Sequence, residues 1–269
     1  MQRDRLMRAV IQFVIAVGLV STGVAGSGTD VDTMAASLPL GSPIESISPA
    51  PGERVGVAHP VVVTFNQPIS NRAAAERAID VTSTTGMTGS FEWLNDTVVQ
   101  WVPDRYWPAH STIMLSVGNR TTEFDTGPAV VGIADISEHT FTVTVDGVAT
   151  GPAPHHLPHA GEQGVLLASM GRPEYPTPVD TYTVLSKDRD VIMDSSSVGI
   201  PITDPDGYLL TVDYAVRISR RGLYVHSAPW AVNAMGFENV SHGCISLDPT
   251  TAEWYFNTVE VGDPVIVQE

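Results

Sequence analysis

The chain has 269 residues and a formal net charge of −16 at pH 7, because 30 acidic residues face only 14 lysines and arginines. Such an acidic balance argues against nucleic-acid binding, which selects basic patches. The chain contains one cysteine, Cys244, so a disulfide within one chain is excluded. The thiol is left as a reactive group, a metal ligand or an inert buried side chain. The length is sufficient for one large core or two smaller ones.

Residues 1–25 have the pattern of a secretory signal. Arginines precede an apolar run over residues 9–20, and small residues follow at Gly23, Ala25 and Gly26. We expect cleavage after Ala25, although the uncharged stretch is about long enough to anchor the chain in a bilayer if it is retained. The basic flank disfavours the alternative of a buried helix. The sequence therefore predicts export to the periplasm or cell wall, either free or membrane-anchored.

The next part of the chain predicts a linker followed by a β domain. Residues 26–43 are rich in Ser, Gly and Ala and predict a flexible linker. Residues 44–126 contain short β-branched or alternating runs between turn residues, with a turn or two of helix at 71–78. The clearest predicted strands lie at residues 61–65, 98–102 and 112–117. This spacing is typical of an immunoglobulin-like sandwich. The segment has no clustered His or Cys, so we interpret it as a spacer or positioning domain.

Residues 130–269 predict a second domain that is mostly β. Its predicted strands lie at residues 140–145, 165–169, 180–185, 209–218, 222–226 and 264–267. Asp248 followed by Pro249 predicts the start of a short helix, with Trp254 and Tyr255 facing inward. The predicted fold class is therefore mainly β, a sandwich followed by a mostly β domain with one short helix after the cysteine.

Cys244 ends the sequence Ser-His-Gly-Cys, eighteen positions after His226. A thiol needs a nearby base to act as a nucleophile at neutral pH, because the thiolate is the reactive form. We expect His226 to take that proton, and the Ser227 carbonyl to orient its ring. Gly243 allows a close backbone approach, and the amides of Gly243 and Cys244 are candidate donors to an oxyanion. An unpaired cysteine in an exported chain also indicates a working thiol. For His242 we expect a structural hydrogen bond at the turn.

These residues resemble the signature of L,D-transpeptidases (YkuD domain), closest to the mycobacterial type with an N-terminal immunoglobulin-like domain. The resemblance rests on His-Ser-Ala-Pro-Trp at residues 226–230, on Ser-His-Gly-Cys, and in the first domain on residues 60–68 and 106–108. It covers residues 44–267. It implies that Cys244 attacks the third residue of a tetrapeptide stem, releases D-alanine, and passes the acyl group to another stem as a 3→3 peptidoglycan cross-link.

The resemblance also implies roles for other residues. Tyr208 matches a tyrosine that contacts substrate on the oxyanion side. The other positions that match pocket or substrate contacts are Met193, Arg221, Gly222, Trp230 and Ser246. The family usually has Asn or Arg at the last of these, so the shorter Ser246 is expected to alter substrate contact or rate. The family's Thr-Pro-x-Gly turn appears here as residues 177–180 without the glycine. Peptidoglycan stems are the implied partners and carbapenems the implied inhibitors, with no metal or cofactor, and we expect a monomer.

Four alternatives remain open at this point. His226, His242 and Cys244 would make a three-ligand zinc site. A sortase-type transpeptidase is disfavoured because no arginine follows Arg221. An L,D-carboxypeptidase would use the same residues and differ only in its acceptor. A non-catalytic wall-binding module is kept open by Ser246.

Overall fold

The computed structural model describes residues 44–82, 86–154 and 157–269. The predicted signal segment and linker, residues 1–25 and 26–43, lie outside the described residues. Within those three ranges, no helix is long and apolar enough to cross a membrane.

The first domain is a sandwich of short strands. In chain order its elements are β1 (Ile44–Ser48), β2 (Arg54–Val55), β3 (Val61–Phe65), α1 (Arg72–Arg77), β4 (Ile79–Thr82), β5 (Gly89–Trp93), β6 (Val98–Pro103), β7 (Thr112–Val117) and β8 (Arg120–Thr126). The described strands form two four-stranded sheets, ordered β1-β3-β6-β5 and β2-β8-β7-β4. Trp107 packs between Trp101 and Phe124 in the core. The centroid of its ring lies 5.4 Å from that of Trp101 and 5.7 Å from that of Phe124. The predicted immunoglobulin-like fold is confirmed.

The second domain is built on one long sheet. Its elements are β9 (Val130–Asp135), β10 (Thr140–Val145), β11 (Val148–Ala149), β12 (Val165–Ser169), β13 (Asp180–Thr183), β14 (Ser186–Asp194), β15 (Leu209–Arg217), β16 (Tyr224–Ser227), β17 (Ile245–Leu247), α2 (Pro249–Thr258) and β18 (Pro264–Gln268). The described strands follow the order β13-β18-β9-β10-β12-β17-β16-β15-β14, with β11 paired to β10.

Helix α2 begins where the sequence predicts. The Asp248 carboxylate accepts hydrogen bonds from the amides of Thr250 and Thr251 at 3.0 and 3.2 Å, which satisfies two of the free amides of the first turn. Tyr255 is buried against Phe141, with ring centroids 4.9 Å apart. The helix therefore covers one face of the sheet close to the strands that carry the cysteine and histidine.

Strands β14 and β15 form a hairpin whose connecting segment, residues 195–208, lies beside the candidate site. The hairpin is paired from Ser186 with Arg217 to Asp194 with Leu209. β14 is not among the predicted strands, because its charged Lys-Asp-Arg-Asp run has no apolar alternation. In the structure both hairpin strands have several exposed side chains, so backbone pairing to β15 stabilises β14.

The two domains meet at a short hydrogen-bonded junction. Gly56 donates its amide to the Val261 carbonyl at 2.8 Å, and Ala58 donates to Gly262 at 2.7 Å. A Cβ added to Gly56 would lie 2.1 Å from the backbone nitrogen of Asp263. The backbones are thus in contact, and only glycine fits at position 56.

Candidate active site

The parallel pairing of β16 with β17 brings the predicted histidine and cysteine to the same part of the sheet. His226 is in register with Ser246, and Cys244 directly precedes β17. Side chains two apart on a strand share a face. Cys244 is therefore placed on the face of the sheet that carries His226, one diagonal step along the neighbouring strand.

The ring of His226 has a defined tautomer. Its Nδ1 lies 2.8 Å from the Ser227 carbonyl oxygen, which can only accept, so Nδ1 carries the hydrogen and Nε2 is the acceptor. The side chain is buried, and burial lowers the pKa of His226 although the Ser227 hydrogen bond acts to raise it. The imidazole is therefore neutral near pH 7, as a general base requires.

The thiol of Cys244 is protonated at rest. Burial raises the pKa of Cys244 to about 11, although a hydrogen bond from the Tyr224 backbone acts to lower it. The thiol donates to the Gly222 carbonyl at 3.8 Å. A thiol–imidazole hydrogen bond is not among the contacts of the described residues, so we expect the Cys244 side chain to rotate before the proton moves to His226. The resting pair is thus a thiol beside a neutral imidazole.

This charge state predicts how alkylation depends on pH. Since the raised pKa keeps the thiol protonated below about pH 11, the rate of Cys244 alkylation by iodoacetamide should rise about tenfold per pH unit between about pH 7 and 9. The rate can be followed by intact mass in the native protein. The urea-unfolded chain is the control, because its thiol has a pKa of about 8.5 and its rate levels off earlier. A native rate that is already constant above about pH 6 would instead indicate a preformed thiolate–imidazolium pair.

The turn before the cysteine is held by two hydroxyl groups. Ser241 Oγ donates to the Cys244 carbonyl at 2.7 Å and accepts the Gly243 amide at 3.0 Å. Thr177 Oγ1 donates to the Gly243 carbonyl at 2.7 Å and accepts the Gly171 amide at 2.8 Å. The φ of Gly243 is 118°, which favours glycine. The expectation that the Gly243 amide faces an oxyanion is corrected, since that amide is already bonded to Ser241.

Tyr208 lines the same cavity as the thiol. Its backbone amide donates to Ser195 Oγ at 3.0 Å, and its ring packs against His242 with centroids 4.9 Å apart. Burial raises the pKa of Tyr208, and so do the negative charge that Cys244 carries once it is a thiolate and the charge of Asp194. The phenol therefore stays protonated and can donate. Because the Gly243 amide already donates to Ser241, two of the predicted oxyanion donors remain: the Cys244 amide and the Tyr208 hydroxyl.

A polar cluster that sequence reasoning missed surrounds His242. Arg172 donates to Asp206 at 2.6 Å and to His242 Nε2 at 3.0 Å, and the Tyr175 hydroxyl donates to Asp206 at 3.3 Å. Burial and the adjacent Arg172 charge lower the pKa of His242, although its bond to the Asp206 backbone acts to raise it. The cluster ties the segment that carries Tyr208 to the loop before β13. Because His242 is engaged here, it is poorly placed as the third ligand of the zinc alternative.

Two cavities meet beside the thiol. The larger, about 990 Å³, contains Cys244 in its lining and extends to the first domain at Leu94 and Gln100. The smaller, about 240 Å³, is lined by Met193 and the hairpin. Tyr208, Arg221 and Gly222 line both cavities. The larger volume is within the range of pockets that bind small organic ligands.

Trp230 and Ser246 are placed differently from the other predicted residues. Trp230 is 57% exposed beside His226, with ring centroids 6.2 Å apart, and lines neither cavity. Ser246 is only 2% exposed, because β17 lies between β12 and β16 inside the sheet. The expected contact between Ser246 and substrate is therefore corrected, since the side chain has almost no accessible surface.

The fold and this cysteine–histidine arrangement define a class of enzyme. The model of the L,D-transpeptidase catalytic domain, YkuD, matches residues 129–267, and a bacterial Ig domain model matches residues 24–122. The chain belongs to the L,D-transpeptidase family, as the sequence resemblance predicts.

One sequence comparison and two solved structures show how similar the chain is to known members of the family. The chain is 64% identical to probable L,D-transpeptidase 3 of Mycobacterium tuberculosis, over 98% of this chain and 100% of the relative. A crystal structure of L,D-transpeptidase 3 from Mycobacterium tuberculosis with a faropenem-derived adduct has a TM-score of 0.80 and 69% identity, over 84% of this chain and 98% of that one. A structure of the transpeptidase LdtMt1 with imipenem has a TM-score of 0.77 and 48% identity. The match covers 84% of this chain and 99% of that chain. The protein is thus an L,D-transpeptidase.

Proposed function

We propose that this protein forms 3→3 cross-links between peptidoglycan stems through an acyl-enzyme on Cys244. The observation that carries the proposal is the position of Cys244: its thiol opens into a cavity of about 990 Å³ and lies diagonal to the neutral, buried His226 on the neighbouring strand. A nucleophile, a base and a cavity of substrate size are the parts that acyl transfer requires.

In the first half-reaction, Cys244 Sγ forms a bond to the carbonyl carbon of the third stem residue, and its proton passes to His226 Nε2. The Ser227 carbonyl holds Nδ1–H and favours the imidazolium that forms. The Cys244 amide and the Tyr208 hydroxyl hold the oxyanion. The carbon–nitrogen bond to the terminal D-alanine then breaks, and the proton on Nε2 goes to the leaving amine.

In the second half-reaction, the side-chain amine of another stem attacks the thioester carbon and gives a proton to His226. The carbon–sulfur bond breaks, and the leaving thiolate recovers that proton. An L,D-carboxypeptidase would follow the same steps with water in place of the amine. The large cavity supports the amine acceptor, because it extends from the thiol to the first domain and has room for a second stem.

The cellular setting is part of the proposal. Peptidoglycan lies outside the cytoplasm, and residues 1–25 have the pattern of an export signal. We therefore place the enzyme in the periplasm or cell wall, with residues 44–126 as a positioning domain and 130–269 as the catalytic domain. We also place carbapenems among its inhibitors, since their strained carbonyl would meet the same thiol and a relative is solved with imipenem.

Two incubations test the proposed function. Intact mass after incubation with imipenem should increase by one drug per chain, and the increase should be lost in Cys244→Ala. Incubation with a disaccharide-tetrapeptide should yield a cross-linked dimer and free D-alanine. Circular dichroism of Cys244→Ala serves as the control for folding.

The products separate the alternatives. A tripeptide product without a dimer would overturn cross-linking in favour of the carboxypeptidase. If neither incubation changes the protein or the stem, Cys244 is not a working nucleophile, and a wall-binding role would replace the proposal.

A further inference from the structure

The smaller cavity beside the nucleophile is basic in an acidic protein. Arg217, Arg220 and Arg221 all line it, which is three of the 14 lysines and arginines in a chain of net charge −16. We call Arg220 and Arg221, with the cavity walls around them, the arginine pocket.

The charges of the arginine pocket are not neutralised within the protein. Arg220 and Arg221 are exposed, and neither has an ion pair with any residue that the structure describes. Asp194 also lines the cavity, but one of its carboxylate oxygens accepts the Ser196 amide at 2.8 Å, which caps a short 3-10 helix, Ser195–Val198. Arg217 instead supports the loop, because its guanidinium donates to the Arg220 carbonyl at 2.9 Å.

The arginine pocket lies close to the Cys244 sulfur, the atom that reacts. The Gly222 carbonyl accepts a hydrogen bond from the Cys244 thiol at 3.8 Å, and Gly222 directly follows Arg221 in the chain. Gly222 and Tyr208 line both cavities, so a ligand bound at Cys244 can extend into the smaller one. Two unpaired guanidinium groups so close to a nucleophile indicate that the substrate supplies the anion.

We propose that the arginine pocket binds the terminal carboxylate of the donor stem, the one carried by the leaving D-alanine. This inference rests on the proposed function and adds to it the group by which the donor is recognised. In a tetrapeptide donor, the terminal carboxylate is separated from the attacked carbonyl carbon only by the nitrogen and Cα of the last residue. A carboxylate held by Arg220 and Arg221 therefore places the scissile carbonyl at Cys244.

The test compares two synthetic tetrapeptide donors, one with a free terminal carboxylate and one with a terminal amide. The measured quantity is kcat/KM for release of D-alanine or D-alaninamide. Wild-type enzyme should prefer the acid by roughly 10- to 100-fold, as expected for hydrogen bonds between charged groups. In the double variant Arg220→Gln/Arg221→Gln, the preference for the acid over the amide should fall to near onefold, because the rate with the acid falls much more than the rate with the amide. Arg189→Gln, an exposed arginine outside both cavities, is the control for loss of a positive charge at the surface and should change neither rate.

Several outcomes would overturn the inference. Equal use of both donors by wild-type enzyme would do so, and so would an equal loss on both donors in the double variant. A third donor keeps the terminal carboxylate but has its other carboxylates amidated. If the double variant no longer lowers the rate with this third donor, the pocket binds one of the carboxylates that were amidated.

Two further results keep the test decisive. If the double variant fails to fold, the wild-type preference for the acid should still weaken with added sodium chloride, and a preference independent of salt would contradict the pocket. If wild-type enzyme releases neither product, the proposed function itself has failed. A working enzyme without a preference for the acid contradicts only the arginine pocket.

Discussion

Replacing His226 with glutamine should lower kcat/KM for D-alanine release by roughly 10³-fold or more at about pH 7.5. The reason is the pKa of Cys244, which burial raises to about 11, so almost no thiolate forms without the base. The measurement is D-alanine release from a tetrapeptide donor by the purified variant. Glutamine is polar and of similar size, so it limits the disturbance at a buried position.

The pH dependence of this variant tests the reason directly. Since His226 takes the thiol proton, residual activity of His226→Gln should rise about tenfold per pH unit as hydroxide replaces the base, up to about pH 9. His159→Gln is the matched control, because His159 lines neither cavity and pairs with Glu162 three residues along the same loop. Its activity should equal that of the wild type. A residual activity in His226→Gln that is flat with pH would mean that the residue acts through structure.

Replacing Gly56 with alanine should destabilise the protein by about 3 kcal/mol or more, because the new methyl group would overlap backbone atoms in a close-packed junction. The added Cβ would lie 2.1 Å from the nitrogen of Asp263, and the backbone on both sides is hydrogen-bonded. Calorimetry should show a lower midpoint and separate unfolding of the two domains. Donor turnover should fall as well, since the first domain forms one wall of the larger cavity.

Gly147→Ala is the control for this substitution. Gly147 has a φ of 79° and open space around its Cα, so alanine costs about 1–2 kcal/mol from backbone strain alone. A loss in Gly56→Ala no larger than in the control would show that the two domains separate at little cost. The junction would then not hold the first domain against the cavity.

The strands that alternate clearly could be predicted closely. The predicted ends are correct for four strands, β3, β7, β10 and β12. In a half-buried strand β-branched and apolar residues alternate with polar ones, and in a fully buried strand they form a continuous run, so both kinds can be recognised in the sequence. β14 could not be predicted, since pairing with β15 stabilises it and its side chains carry little signal. Helix α2 was predictable because Asp248 and Pro249 mark its first turn locally.

The candidate site was predictable where residues close in sequence act together. The Ser-His-Gly-Cys turn and the pair His226–Ser227 are local motifs. Arg172 and Asp206 are 34 positions apart and meet only through the folded loops. The burial of Ser246 cannot be inferred from residue types, because it depends on the placement of β17 inside the sheet.

The position of β18 has a consequence for how the protein is made. This strand, residues 264–268, lies between β13 and β9 and pairs in parallel with β9, which begins at residue 130. The catalytic sheet therefore cannot close while the ribosome is still synthesising the preceding 130 or so residues. Until then, β9 and β13 lack the neighbour that separates them. The fold of the catalytic domain, and with it the site around Cys244, is therefore completed only after β18 has been synthesised.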